Sequence, residues 1–279
     1  MNNLISVITC VFNGEKTIED TILSIINQDY EKLELLIIDG NSNDGTLKIA
    51  KKYSKIDSRI RIISELDKGI YDAYNKGLTN SLGEIILFVN ADDFLFPKAL
   101  SSISKNFDLV NYQIYAASIA MVNEEDEYYK EHFRSAIAKH SITNPTILTP
   151  GICFSKNVFL ETGTFDISYK ICADFDFINR CLNKGVKIQY SDLLINHMRE
   201  GGISSNNKFE FLKKTEQFRA CKNNSEKLNI KFGLQLFVKF IKTILLGSIF
   251  KNKLKAKKKE IQDSYILKNI FWFKTQSKN

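Results

Sequence analysis

Four consecutive residues, Asn90-Ala91-Asp92-Asp93, form the strongest constellation of oxygen ligands in the chain because they come directly after the apolar run Ile85–Val89. Acids placed immediately after a buried strand sit at the edge of the core, facing the crevice where open α/β sheets bind their ligands. A hard divalent cation such as Mg2+ or Mn2+ takes oxygen ligands and bridges a diphosphate, so this tetrad can hold a metal–phosphate pair. The same residues would also serve in a turn, with Asp92 or Asp93 capping a helix that begins near Pro97. No GxGxxG follows the first apolar run, and the chain has no GxxxxGK[ST], HExxH or GxSxG. Whatever binds at the strand ends is therefore held by carboxylates and not by a glycine-rich phosphate cradle.

The elements that must position these residues alternate in type. Leu4–Val11, Leu33–Ile38, Ile60–Ser64 and Glu84–Val89 read as strands. Between them lie helical patterns near Lys16–Gln28, from the Asn41–Thr46 turn to Tyr53 with Asp44 as the cap, and over Ile70–Asn80. This β-α-β-α-β-α-β order predicts an α/β fold with a mostly parallel central sheet flanked by helices. Farther along, Tyr112–Val122 and Gly151–Ser155 read as strands, Glu124–Glu131 as an acidic loop, Phe175–Lys184 as a helix and Lys187–His197 as extended. That mixture predicts a smaller antiparallel extension of the sheet on the acceptor side.

Taken together, Ser6–Asn13, Ile37–Thr46 (IIDGNSNDGT), Asp67–Gly77 (DKGIYDAYNKG) and Phe88–Asp93 (FVNADD) resemble family 2 glycosyltransferases of the GT-A fold. The resemblance runs over roughly residues 4–205 and is closest to bacterial members that build surface polysaccharides. It implies that Thr9, Phe12 and Asn13 follow the first strand where the family holds its nucleotide, and that Asp39 accepts from a uracil ring. It places Asp67 and Lys68 beside the nucleotide, and sets Asn90-Ala91-Asp92 on the DxD motif that positions metal and ribose. With Asn at the first position, the metal would rest mainly on Asp92. His197 matches a histidine that approaches metal or diphosphate in some relatives, and Arg199 has a similar claim on phosphate.

Ala173-Asp174-Phe175-Asp176 is similar to the family's ED-containing segment, with Asp174 on the position of the catalytic base and Ala173 replacing the usual Glu. A helix N-terminus favours an ionised carboxylate, which a base needs near neutral pH. Asp176 competes for the role, since two residues apart on a helix point about 200° apart and only one faces the substrate. Tyr71 and Tyr74, one helical turn apart, read as core residues more than as a sugar platform. Gly201-Gly202 reads as a loop able to close over the donor.

The resemblance thus implies an inverting transfer of a hexose from a nucleotide sugar, with UDP as the expected carrier and Mn2+ or Mg2+ as the cofactor. The implied acceptor is a hydroxyl of a polyprenyl-diphosphate-linked saccharide in capsule, O-antigen or exopolysaccharide synthesis. Two other classes compete: a catalytically silent membrane-binding partner of an assembly complex, given Asn90 and Ala173, and a sugar nucleotidyltransferase. The latter usually carries a glycine-rich basic loop that Val7–Glu15 lacks.

Charge separates the chain into two parts. Residues 230–279 hold twelve Lys and two acids, a charge of +10, so with +7 overall the first 229 residues carry −3. That split argues against nucleic acid as the partner of the body and for an anionic surface met by the tail. Gly233–Phe250 is strongly apolar, Lys251–Lys259 heavily basic, and Ile270–Phe273 aromatic, the pattern of a helix lying in a bilayer interface. We therefore expect a GT-A domain over residues 1–205 and a helical, basic, membrane-associating region over 206–279. Five cysteines without a CxxC pair predict buried thiols in a reducing compartment. With no evident signal peptide or long apolar span, the expected location is cytoplasmic, peripheral on the inner face of the cell membrane.

Overall fold

The computed structural model describes residues 3–122, 128–132, 149–199 and 209–224. Four strands, β1 (Ile5–Val11), β2 (Leu33–Asp39), β3 (Ile60–Ser64) and β4 (Ile85–Phe88), alternate with helices α1 (Ile18–Ile26), α2 (Thr46–Ser54) and α3 (Ile70–Asn80). Then come β5 (Phe94–Leu95), α4 (Ala99–Asn106), β6 (Ile114–Val122), β7 (Tyr128–His132), a 3-10 turn (Thr149–Gly151) and β8 (Ile152–Ser155). Helices α5 (Lys156–Thr162) and α6 (Ala173–Asn183), strand β9 (Ile188–Arg199) and helix α7 (Glu210–Asn224) complete the described fold.

The strands form one sheet in the order β3-β2-β1-β4-β8-β6-β9-β5, with β7 paired to β6. Strands β1 to β4 are parallel, as the alternating pattern predicts. Their sequences are apolar on both faces because helices cover both faces. One layer packs Ile18, Ile22, Leu100 and Ile103 against Val7, Leu35 and Leu87. The other packs Tyr71, Tyr74, Phe165 and Phe177 against Ile8, Leu36, Phe88 and Phe154. Helix α3 lies so close to β1 that a Cβ on Gly77 would sit 2.4 Å from Cγ2 of Ile8.

The extension departs from expectation in two ways. Strand β8 is antiparallel to both β4 and β6, but β6 and β9 run parallel. Helix α6 lies between β8 and β9 and returns the chain in the direction of β6, so this part of the sheet is mixed. In addition, Tyr128–His132 falls largely within the expected acidic loop yet forms a strand antiparallel to the outer half of β6. Strand β8 pairs only with Ile114–Ala116 of β6, and β7 takes up the backbone groups of Ile119–Val122 that β8 leaves open.

All five cysteines are free and buried. Helix α7 lies beyond position 205, yet Ala220 and Cys221 are fully enclosed in the same core layer as Phe177. The folded unit therefore continues at least to Asn224. The apolar stretch 233–250, the basic stretch 251–259 and the loop at Gly201-Gly202 lie outside the described residues. Among the described residues, no helix is long and apolar enough to cross a membrane.

Candidate active site

The loops after β1 and β2 are stitched to each other by side-chain bonds to backbone. Asn13 N–H donates to Ser42 Oγ (2.8 Å), and Asn43 N–H donates to Asn13 Oδ1 (2.9 Å). Gly14 N–H reaches Thr46 Oγ1 (2.8 Å), while Asp44 caps α2 through Thr46 N–H (3.0 Å). Asn13 and Asn41 hold positive φ of 53° and 64°, a conformation asparagine tolerates better than most residues. Asp39 is fully buried at the end of β2 and accepts from Ser64 Oγ (2.7 Å) and Ser42 N–H (3.2 Å).

Gly40 then makes room for a carboxylate. A Cβ there would lie 2.6 Å from Asp67 Oδ2 and 3.5 Å from Phe12 Cβ, so Asp67 rests on bare backbone beside Phe12. Phe12 is 64% exposed, an apolar ring left open at the mouth of the crevice. Lys68 is exposed next to Asp67, where its backbone N–H donates to Asp72 (3.0 Å) just before α3. Phe12, Asn13, Asp39, Asp67 and Lys68 thus come together at one corner. Thr9 does not join them. Alternation along β1 turns it into the layer of Val7 and Val11, where it is fully buried and its hydroxyl has no partner.

The Asn90 tetrad forms the second corner. Tyr74 donates to Asn90 Oδ1 (2.7 Å), and Asn90 Nδ2 donates to Asp93 Oδ2 (3.1 Å). Asp93 is buried and also accepts from Arg199 N–H (3.2 Å). Burial, and then the neighbouring Asp92, push its carboxyl well above the usual range. Ala91 is buried, with its carbonyl accepting from Thr21 Oγ1 (2.9 Å). Asp92 is half-buried; burial raises its carboxyl, with its own N–H and the Arg199 guanidinium opposing. Helix α4 begins only at Ala99, with Lys98 at its N-cap position, so Asp92 and Asp93 do not cap it.

Asp174 stands at the start of α6. It accepts from Thr149 Oγ1 (2.9 Å) and Phe175 N–H (2.8 Å), and its Oδ1 lies 3.2 Å from Tyr71 Oη. Burial raises its carboxyl above the ordinary range, while the Thr149 and Phe175 bonds and Lys213 hold it back. Asp176 points elsewhere: it pairs with Arg180 Nε (2.8 Å) and accepts from Asn224 Nδ2 (2.9 Å) of α7. That arrangement distinguishes the two candidates, since Asp176 is committed to joining helices.

Two residues that reading from sequence treats as packing carry the geometry instead. Tyr71 and Tyr74 are buried, as core residues should be, yet their hydroxyls reach Asp174 and Asn90 respectively. One helix therefore ties the two acidic corners together. Tyrosine in place of phenylalanine is the available signal, because a buried phenol needs a polar partner.

His197 and Arg199 are placed differently from expectation. The imidazole of His197 is 2% exposed and sandwiched between Phe94 (centroids 4.3 Å) and Phe96 (3.6 Å). Burial, with Arg199 adding to it, lowers its pKa to about 3. These contacts are those of a packing residue. The Arg199 guanidinium donates to the Asp92 carbonyl (3.2 Å), pairs with Asp20 (3.1 Å) and lies over Phe94. It braces the acidic turn from behind.

The donor set at the tetrad is small. No group of three or more His, Cys, Asp or Glu that could hold a metal occurs among the described residues. The single half-buried carboxylate of Asp92 still fits Mg2+ or Mn2+, which commonly takes one or two protein carboxylates and completes its shell with phosphate oxygens and water.

Comparison with known proteins agrees with this geometry. The family model for glycosyl transferase family 2 matches residues 6–170. A Bacillus subtilis protein provisionally named as the teichuronic acid biosynthesis glycosyltransferase TuaG is 40% identical over 91 residues, 32% of this chain. That match spans only 36% of TuaG's own length. The fold superposes on S. aureus TarS 1-349 in complex with UDP-GlcNAc with a TM-score of 0.63 at 19% identity, covering 85% of this chain and 71% of TarS. It superposes on the mannosyltransferase PcManGT of Pyrobaculum calidifontis, in complex with GDP-Man and Mn2+, with a TM-score of 0.62 at 16% identity, covering 99% and 80%. The family model spans more than half of the chain, and this chain belongs to glycosyl transferase family 2.

Proposed function

We propose that the protein is an inverting glycosyltransferase that moves a hexose from UDP to a hydroxyl of a lipid-linked saccharide during surface-polysaccharide synthesis. The observation that carries this reading is α3, whose Tyr71 and Tyr74 join Asp174 to Asn90 and so assemble a base and a diphosphate site across one crevice. Phe12 offers an apolar face for the nucleobase, and Asp39 with its Ser42 and Ser64 bonds lies beneath it. Asp92 would hold a divalent cation, which supplies charge neutralisation to the departing diphosphate.

Asp174 takes the proton of the acceptor hydroxyl. The hydroxyl oxygen forms its bond to the anomeric carbon as the bond to the diphosphate oxygen breaks, and that electron pair leaves with UDP. Attack opposite the leaving group inverts the carbon, so an α-linked donor gives a β-glycoside. Burial of Asp174 raises its basicity, which favours proton uptake at the moment of attack.

The +10 charge of residues 230–279 and the apolar run 233–250 within them support a lipid-linked acceptor and a peripheral location on the inner membrane face. TuaG's name supports the polysaccharide setting. TarS was solved with a UDP sugar and PcManGT with a GDP sugar and Mn2+, so carrier and metal are the first things to test. Thermal shift with a panel of nucleotide sugars, with and without Mn2+, should single out UDP sugars. The response should weaken about 100-fold in Asp92→Asn. Stabilisation by GDP-mannose alone would replace UDP in this reading, and no response from any nucleotide sugar would remove the donor site. Vesicles containing anionic lipid should retain the full chain and release one truncated after residue 229; equal retention would remove the anchor.

A further inference from the structure

The short segment that delivers Asp174 into the crevice is not held by its own helix. Three successive backbone N–H groups, of Lys170, Ile171 and Cys172, converge on the carboxylate of Glu216 at 2.7, 2.9 and 3.0 Å. Glu216 belongs to α7 and is buried, at 5% exposure. Cys172 is the N-cap position of α6, and its own side chain makes no cap bond. A carboxylate from a distant helix therefore holds the segment that leads into α6, meeting the N–H of the Cys172 N-cap and of the two residues before it. Around it, α7 sends Asn224 to Asp176 and places Arg219 3.7 Å over the Tyr169 ring.

One peptide in this segment is gripped at both ends. The Cys172 N–H of the Ile171–Cys172 peptide goes to Glu216, and its Ile171 carbonyl accepts from Tyr71 Oη at 2.6 Å. The same Tyr71 oxygen lies 3.2 Å from Asp174 Oδ1. A phenol carries one proton, and the shorter bond claims it. With the proton committed to Ile171, the Tyr71 oxygen turns its lone pairs toward Asp174.

We propose that Glu216 is a positioning residue for Asp174: by fixing the Ile171–Cys172 peptide it keeps the Tyr71 proton on the Ile171 carbonyl, leaving the Tyr71 oxygen to receive a hydrogen bond from Asp174 once that carboxylate has taken the acceptor's proton. The proposal rests on Asp174 as the base. The other groups facing Asp174 are Thr149, Tyr74 of α3, Cys172 and Lys213 of α7, and the Cys172 thiol donates to the Lys213 carbonyl (3.6 Å), a second tie between this segment and α7. If the grip is lost, the peptide turns, Tyr71 donates to the Asp174 carboxylate instead, and the ionised form is stabilised at the expense of basicity.

The test is the acidic limb of kcat/KM against pH, which reports the base in the free enzyme. Glu216→Gln presents an amide N–H to the three donors. Its kcat should fall about tenfold with donor KM within about twofold, and the acidic limb should move down by about half a pH unit. Tyr71→Phe leaves α7 untouched and covers the case in which the Gln variant does not fold. It removes the oxygen that stabilises protonated Asp174, so its limb should also move down, and an upward shift would overturn the proposal. In the double variant the shifts should not add, and full additivity would equally overturn it. Asp174→Asn, run in parallel, separates the two readings. Retained turnover there refutes the base assignment, whereas an inactive Asp174→Asn beside an unmoved limb in Glu216→Gln refutes only the positioning role.

Discussion

The two corners of the crevice are held by different means. On the donor side, the loops after β1 and β2 are fixed by bonds to each other, with short side chains of Asn13, Ser42, Asp44 and Thr46 meeting backbone N–H groups. On the base side, Asp174 depends on residues brought from far along the chain: Thr149 before it, Tyr71 on α3 and Glu216 on α7 behind it. A donor site made of strand-end loops can bind with little help from the rest of the molecule. A base buried in a network of four elements is set by packing as a whole. Binding and catalysis should therefore be separable by substitution.

The largest effect should come from the base side. Asp174→Asn keeps the shape and the bond to Phe175 N–H but cannot take a proton, so kcat should drop about 10²- to 10⁴-fold while donor KM stays within a factor of about two. Stability should move the other way. Because burial raises this carboxyl in the folded state, its ionised form opposes folding at neutral pH, and that penalty is relieved as pH falls through the raised pKa. The variant should thus melt higher than the parent at pH 8, with the gap closing toward pH 5. A variant both inactive and less stable at pH 8 would point to a structural part for Asp174.

This difference between corners also explains what could be read from sequence. The donor side announces itself because its stitches are local and use residue types with strong turn preferences; Asp44 as the cap of α2 is legible for that reason. Asp176 stays a competitor in the sequence, and its pair with Arg180 in the structure is what commits it elsewhere. Glu216 and Thr149 were not legible. A carboxylate on α7 shows no sign in the sequence that three N–H groups more than forty residues away need it. Thr9 failed for the opposite reason, as proximity to a motif says nothing about which face of a strand a side chain takes.

On the donor side the complementary break is Gly40→Ala. The added Cβ would lie 2.6 Å from Asp67 Oδ2, and Asp67 also holds Gly69 N–H at 2.9 Å through its other oxygen. Moving that carboxylate should raise donor KM about tenfold, ~1.4 kcal/mol of binding, with kcat nearly unchanged. Steady-state kinetics beside Asp174→Asn would show two orthogonal defects. A fall in kcat at constant KM for Gly40→Ala would mean that the corners are coupled and the comparison fails.

Asn90 lies at the junction, and its identity has a local reason. It donates to buried Asp93 while accepting from Tyr74, and an aspartate could do only the second. Asn90→Asp should improve the response to Mn2+ by adding a carboxylate, yet cost about 1–3 kcal/mol of stability at pH 7 by leaving Asp93 Oδ2 without the Asn90 donor. Asp93 already has a raised carboxyl, and a second anion beside it raises it further. The folded state then takes up a proton that the unfolded chain does not, so the lost stability should return as pH falls. Melting curves from pH 8 to pH 5 should converge for the two proteins; parallel curves would remove the Asn90–Asp93 bond from the account.

The smallest effect should lie beneath the donor side, at His197. A phenylalanine there keeps the stack between Phe94 and Phe96, so turnover should stay within about threefold and the response to Mn2+ should be unchanged. Acid stability should change instead. With its folded pKa lowered to about 3, His197 stays neutral in the native state, while the unfolded chain protonates it below about pH 6.5. The parent therefore loses stability as pH falls from 6.5, by roughly 2 kcal/mol at pH 5 from this residue, and His197→Phe removes that loss. Loss of the Mn2+ response in this variant would make His197 a ligand after all, and the donor corner would then reach deeper into the sheet than its loops alone.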